Sequence, residues 1–277
     1  MIRYSLGLIL SILTLCSYAQ PLVSYYIGSR SEASRGQRFK TIEESSEVII
    51  KGVAPIPYKV VKEFNPQGNI VSSISYNSAG GKTAETRWEY IDGVKLKQKH
   101  HRYFANIAGW REEVVNVEYD QDKFLPIKIE LLKEGKVFQS ASLTSDSLGR
   151  IELAEVYGST GAHITTEKLI YIVQSNMIRV MVYRANGQFH GSWTYPMDPN
   201  KEFNFESVAR QYYPNGDVMV ETLTNSMQGD QAYFYEYQYD SQGNWIAKET
   251  YQVTIGRNNS IRNKKIEHRI TRKISYY

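Results

Sequence analysis

Tyr235-Glu236-Tyr237-Gln238-Tyr239-Asp240-Ser241-Gln242-Gly243-Asn244-Trp245-Ile246 decides the fold. Three tyrosines stand at every second position with Glu236 and Gln238 between them, the period of two of a strand with one face buried. The run ends in Asp240 and, three residues on, Gly243. An Asx side chain opens a turn and glycine takes the positive φ that closes it, so this is a hairpin tip with a strand on either side.

Working outward, the same tip recurs at Phe64-Asn65-Pro66-Gln67-Gly68-Asn69, Ser145-Asp146-Ser147-Leu148-Gly149-Arg150 and Tyr212-Tyr213-Pro214-Asn215-Gly216-Asp217. Tyr183-Arg184-Ala185-Asn186-Gly187-Gln188 is a near relative. Glycines 149, 187, 216 and 243 lie 38, 29 and 27 residues apart, a spacing that suits one hairpin pair per unit. Between 90 and 140 the signal fades: Tyr119-Asp120 lacks its glycine, while Asp92-Gly93 and Glu134-Gly135 mark tighter hairpins. Ile127, Ile129 and Leu131 alternate with Lys128 and Glu130, and a long alternation runs from Ile266 to Tyr276. The chain holds 22 tyrosines against 9 phenylalanines, a bias toward rings that pack on a sheet while their hydroxyls stay polar. The expected fold is all-β: an antiparallel meander of repeated hairpins, an open sheet that curls or twists. Charged strands such as Lys95-Leu96-Lys97-Gln98-Lys99 are expected to guard its edges.

The first residues read as an export signal. Arg3 precedes an apolar run from Leu6 to Leu15, and Ser17-Tyr18-Ala19 supplies small residues at the cleavage positions, so residues 1–19 are expected to be a signal peptide cut after Ala19. The run is too short to span a membrane, which takes about 20 apolar residues. Leu13-Thr14-Leu15-Cys16 offers a competing lipid anchor at Cys16, disfavoured because Leu15 stands where a small residue is preferred. Residues 20–40 are poor in apolar residues over 28–40 and are expected to be a linker or mobile arm, with 41–277 as the β-hairpin repeat domain. Cleavage after Ala19 removes the single cysteine and with it any disulfide or thiolate chemistry. The net charge of +4 is too mild for a nucleic-acid binder. The expected location is the periplasm, the outer-membrane surface or the exterior.

Tyr235, Tyr237 and Tyr239-Asp240-Ser241-Gln242-Gly243-Asn244-Trp245-Ile246 resemble the Tyr-Asp (YD) repeats of RHS-type bacterial surface proteins, and Tyr212-Tyr213-Pro214-Asn215-Gly216 resembles a variant MORN unit. The stronger match covers roughly the last forty residues. The resemblance implies a repetitive β-sheet protein of a Gram-negative cell envelope.

Nothing in the sequence assembles a catalytic, cofactor or metal site. His100 and His101 are adjacent and so point to opposite faces of a strand; His163, His190 and His268 stand alone. Glu43-Glu44 and Glu112-Glu113 diverge for the same reason, and Glu85 and Glu89 have Arg87 between them. Gly158-Ser159-Thr160-Gly161 reads as a loop. No nucleophile elbow, zinc-protease helix or phosphate loop is present. The expectation is a non-catalytic structural or protein-interaction module of the envelope. The alternative is a glycan-binding protein using exposed Tyr/Trp rows, with Trp88, Trp110, Trp193 and Trp245 as candidate ligand-binding residues. A second, less favoured alternative is a glycoside hydrolase-like enzyme with carboxylates meeting across strands.

Overall fold

The Asx tips form as their chemistry dictates. In the computed structural model, which describes residues 20–27, 34–50, 52–198, 201, 203, 208–223, 231–256, 258 and 260–277, Asp240 Oδ1 accepts hydrogen bonds from the N–H groups of Gln242 and Asn244 at 2.9 Å each. Gly243 closes that turn at φ +81°. Asp146 holds Leu148 and Arg150 in the same way at 2.9 Å, and Asn65 holds Gln67 and Asn69 at 3.1 and 2.9 Å. At Glu134-Gly135 both residues have positive φ and Lys133 pairs with Lys136, the two-residue hairpin expected there.

Between the turns the alternating runs become strands. The first run holds β1 (Phe39–Val48), β2 (Ile56–Phe64), β3 (Ile70–Tyr76), β4 (Lys82–Ile91), β5 (Lys95–Ala105), β6 (Gly109–Tyr119), β7 (Pro126–Lys133), β8 (Lys136–Ser145), β9 (Ile151–Gly158), β10 (His163–Ile172), β11 (Met177–Arg184) and β12 (Phe189–Pro196). The second holds β13 (Val208–Tyr212), β14 (Val218–Leu223), β15 (Gln231–Tyr239), β16 (Trp245–Ile255) and β17 (Ile261–Tyr276). Each strand pairs antiparallel with the next within its run, and β1 pairs antiparallel with β17, joining the two runs into one sheet. The fold is therefore an all-β antiparallel meander of 17 strands, not closed into a barrel.

Strand direction explains where the meander breaks. Counting outward from the β1–β17 pair through antiparallel ladders, β12 and β13 point the same way. A hairpin cannot join two strands of the same direction, so β12 and β13 are not hairpin partners. No register pair joins β12 to β13 among the described residues. The same counting puts the tips at 65–69, 92–94, 120–125, 146–150, 173–176, 213–217 and 240–244 at one end of the sheet.

The two faces separate by the period of two. Val117, Ile129, Ala141 and Val156 are successive partners across β6 to β9 and all are buried. One residue along, Glu118, Lys128, Ser142 and Glu155 form the facing row on the other side. Burying a side chain such as Ile129 or Leu131 contributes about 1.5–3 kcal/mol, which pins the register because a slip by one residue would expose the whole row. The charged row is a water face; a lipid-facing sheet carries an apolar band instead. No helix among the described residues is long and apolar enough to cross a membrane.

Two sequence expectations meet a different arrangement. Lys95-Leu96-Lys97-Gln98-Lys99 does not guard an edge: it lies in β5, where Lys99 pairs with Trp88 of β4 on one side and Val115 of β6 on the other. Its charges serve the two faces, Lys97 reaching Glu89 at 3.6 Å on one and Lys99 lying on the core-bearing side. Within residues 20–40, Pro21 to Ser24 are buried, Ser24–Ile27 form a single helical turn (α1), and Phe39 and Lys40 open β1. Leu22 and Val23 belong to the main core, packed with residues of β5 to β11. The expected signal peptide and Cys16 lie outside the described residues.

Candidate functional site

Tyrosines repeatedly clamp the open base of a hairpin. Tyr90 donates its hydroxyl to the carbonyl of Ile70 at 2.9 Å, Tyr119 to Leu96 at 2.9 Å, Tyr171 to Ile151 at 2.8 Å and Tyr237 to Val218 at 3.0 Å. In each case the ring comes from the end of one strand and the carbonyl from the start of the strand before it. The four bonds lie at the same end as the Asx tips at 65–69, 146–150, 213–217 and 240–244, so turn and clamp together form a packed layer there. Arg35 ties two tips of that layer: its guanidinium meets Asp217 at 3.0 Å and the carbonyl of Asn215 at 2.8 Å, while its own N–H donates to Asn244 Oδ1 at 2.7 Å. Buried Asn244 also donates to the Arg35 carbonyl at 2.8 Å and to the Tyr276 hydroxyl at 3.0 Å.

Beside this layer lies a cleft of about 800 Å³. Register builds its floor: Gln238 pairs with Ala247 and Ala247 with Thr271, while Glu236 pairs with Glu249 and Glu249 with Arg269. The β13–β14 tip supplies one wall through Tyr213, Pro214 and Asn215; Tyr237 and Tyr239 also border it, their rings turned to the core-bearing face opposite Gln238. The rings are held by their own hydroxyls, Tyr213 donating to the Tyr235 carbonyl at 2.9 Å and Tyr239 to Asp217 at 2.8 Å. Tyr213 and Tyr237 meet edge to face at 6.1 Å, and Tyr237 and Tyr239 stack at 6.0 Å. Burial first, then the neighbouring Asp217 charge, pushes the Tyr237 hydroxyl far above its ordinary value, so it remains a donor.

On the core-bearing face two lysines sit against rings. Lys248 lies 4.4 Å from the Tyr235 centroid and 5.9 Å from that of Tyr237; Lys99 lies 5.6 Å from Tyr25 and 6.0 Å from Trp88. Burial lowers both ammonium pKa values, Glu221 opposing this at Lys248 and Glu113 at Lys99. Further along the same face, fully buried Glu167 accepts the N–H groups of Leu22 and Val23 at 2.7 and 3.0 Å. Desolvation outweighs those two bonds and pushes its carboxyl up to about 7.

The four candidate tryptophans are not brought together. Trp88 is half-buried on β4 against the main core, its indole nitrogen buried with no hydrogen-bond partner among the described residues. Trp110 is exposed at the start of β6, edge-on to Phe104 at 5.8 Å with Arg102 5.6 Å from its ring. Trp193 packs on the core from β12, 6.4 Å from His190. Trp245 alone adjoins the tyrosine group, 6.3 Å from Tyr237, with the Arg272 guanidinium stacked 3.3 Å from its ring. The contiguous aromatic group is thus made of tyrosines.

The histidine pair divides as strand geometry requires. His100 meets Glu112 at 2.5 Å on one face, and His101 meets Thr86 at 2.8 Å on the other. Glu85 is held between Arg87 at 2.7 Å and Lys82 at 2.9 Å. Its carboxyl is lowered, chiefly by the Lys82 hydrogen bond. No group of three His, Cys, Asp or Glu side chains able to hold a metal is found among the described residues. The sequence reading passed over Tyr213, Gln238, Arg269 and Glu167. The signal for the tyrosines was their excess over phenylalanine; the cleft and the Glu167 clamp join positions tens of residues apart, for which the sequence carries no mark.

No protein-family model and no curated protein matches the chain. Among solved structures it is similar to a porin-like protein from Bacteroides uniformis, at 14% identity and a TM-score of 0.42, over 87% of this chain and 99% of that one. It is also similar to a chain of the Photorhabdus luminescens Tc holotoxin pore, at 13% identity and a TM-score of 0.33, over 76% of this chain. A third likeness is to TcdB2-TccC3 without its hypervariable C-terminal region, at 12% identity and a TM-score of 0.28, over 89% of this chain. The chain spans 14% and 17% of the length of these two toxin chains.

Proposed function

We propose that the chain is an exported, non-catalytic module of the cell envelope that presents one rigid repeated sheet to a protein partner. The observation that carries this reading is the recurrence of one structural device, Asx tip plus tyrosine clamp, along the whole meander. It holds the sheet's shape at one end and leaves a long water face of alternating charges, Glu118, Lys128 and Glu155 among them, free to meet another surface. Charge complementarity of this kind favours orientation and encounter rate over raw affinity.

The test is site-specific photo-crosslinking in cells that export the protein. A photoreactive residue at Lys128 or Glu155, on the water face, is expected to give one discrete adduct. The same residue at Ala141, on the core-bearing face, is expected to give none. Absence of any adduct from the water face, or equal adducts from both faces, would overturn the reading.

A further inference from the structure

We propose that a second cleft, on the core-bearing face between α1 and strands β9 to β12, binds the acyl chain of a neutral lipid ester, with Arg150 holding the ester carbonyl. This goes beyond the partner-binding reading and does not depend on it. The cleft has a volume of about 530 Å³, within the ordinary range of small-molecule sites, roughly 300–1,000 Å³.

Register builds its lining. Tyr171 pairs with Ile178 and Ile178 with Tyr195, so three side chains stand in one row on that face, with Ile151 of β9 next to Tyr171. From α1 come Tyr26 and Ile27, and Met197 follows from the end of β12. Ile151 and Ile178 belong to the main core and the others pack against it.

The polar atoms of this lining are committed elsewhere. Tyr171 gives its hydroxyl to the Ile151 carbonyl at 2.8 Å, the Tyr195 hydroxyl is engaged by Ser24 and Gln20, and the Met197 N–H donates to the Asn176 carbonyl at 3.0 Å. These residues present ring faces and aliphatic carbon, against which an alkyl chain is stabilised in proportion to its length. A peptide would bring a donor and an acceptor at every residue, and such a lining leaves them unmatched.

Arg150 is the exception, and it sets the head of the ligand. Its guanidinium lies 4.4 Å from the centroid of the Tyr171 ring, and its Nε and Nη2 meet Asp146 Oδ2 at 2.7 and 2.6 Å. Nη1 has no hydrogen-bond partner among the described residues. The cleft therefore offers one free donor whose charge Asp146 already offsets. An ester carbonyl accepts from it without bringing charge, whereas a carboxylate would stand beside that of Asp146.

The experiment is isothermal titration of the purified protein with octanoyl, decanoyl and dodecanoyl monoglycerides, each below the concentration at which it self-associates. Glycerol and decanoate are the controls for the head and for charge. Saturable binding is expected to tighten by about fourfold for each added CH₂, with decanoate weaker than its ester and glycerol silent. Arg150→Gln should weaken every ester by about tenfold or more and leave the chain-length increment unchanged. Met197→Asp should weaken binding by a similar factor, and Trp110→Ala, on a distant strand, should not. A circular dichroism spectrum checks the fold of each variant, and the chain-length series on the parent needs no variant. No binding of any monoglyceride, affinity indifferent to chain length, or tighter binding of decanoate than of its ester would overturn the proposal. So would a dimer in light scattering that Met197→Asp separates, since a second copy would then occupy the cleft.

Discussion

The Tyr237 hydroxyl lies 3.0 Å from the main-chain carbonyl of Val218, donating across the base of the β14–β15 hairpin at a point where the ladder has already ended at Val220 and Phe234. The same bond at Tyr90, Tyr119 and Tyr171 gives the fold its repeating unit. Each tyrosine satisfies a carbonyl that no neighbouring strand reaches and buries a ring beside it.

Replacing any one of these four tyrosines by phenylalanine keeps the ring and removes the bond. Each Tyr→Phe variant is expected to lose about 1 kcal/mol of stability, the net contribution of a typical hydrogen bond. Tyr58, exposed on β2 and without a hydrogen-bond partner among the described residues, should cost less. Urea unfolding of the five variants checks the contrast.

Asn244 joins the tip at 240–244 to Arg35 through two hydrogen bonds, donates its N–H to Asp240 Oδ1 within the tip, and reaches Tyr276 Oη. Asn244→Ala leaves several of these groups unmatched in a buried site, and a loss of about 1–3 kcal/mol is expected. The segment around Arg35 should also become open to trypsin. Limited proteolysis followed by mass spectrometry reads both the site and the rate.

Gly243 sits at φ +81° with open space around the position of a Cβ except for Arg35 Cδ at 4.0 Å. Gly243→Ala is therefore a test of backbone conformation alone, expected to cost about 1–2 kcal/mol. Gly243→Asn should cost less, because asparagine tolerates this region better. Thermal melts of the two variants give the order.

Glu167 ties stability to pH. Its carboxyl is raised to about 7 in the folded chain from an ordinary value of 4.5. The folded state thus holds a proton that the unfolded state releases between those values, and stability falls as pH rises through the window. The contribution is complete below about pH 4.5 and lost above about pH 7, on the order of 3 kcal/mol in all. Glu167→Gln should flatten this dependence while lowering stability at acid pH. Chemical melts at pH 4.5 and pH 8, for parent and variant, measure both effects.

The parts of this structure that were legible in the sequence are those written within a few residues. Asp240 and Gly243 specify their turn by local chemistry, and Ile129 beside Lys128 declares its face by period alone. The parts that were not legible depend on register. Gln238 meets Thr271 only through Ala247, and Leu22 meets Glu167 across 145 residues. The reading of 20–40 as a linker rested on the low apolar content of 28–40, yet one buried carboxylate and a few apolar side chains suffice to dock Leu22 and Val23. Tryptophan roles were illegible for a related reason: a large ring in a strand is as useful to the core as to a ligand, and Trp88 and Trp193 pack against the core.

The pairing of the first strand with the last is the central claim, since it alone makes one sheet of two runs. Thr41 and Ser275 are register partners there, their hydroxyl oxygens 2.5 Å apart across 234 residues. With Cys16 replaced by serine, Thr41→Cys combined with Ser275→Cys should form a disulfide rapidly under mild oxidation, seen as a loss of two mass units' worth of hydrogen. Thr41→Cys with Ile274→Cys, which points to the other face, should stay reduced. Failure of the first pair to close, or equal closure of both, would contradict the account.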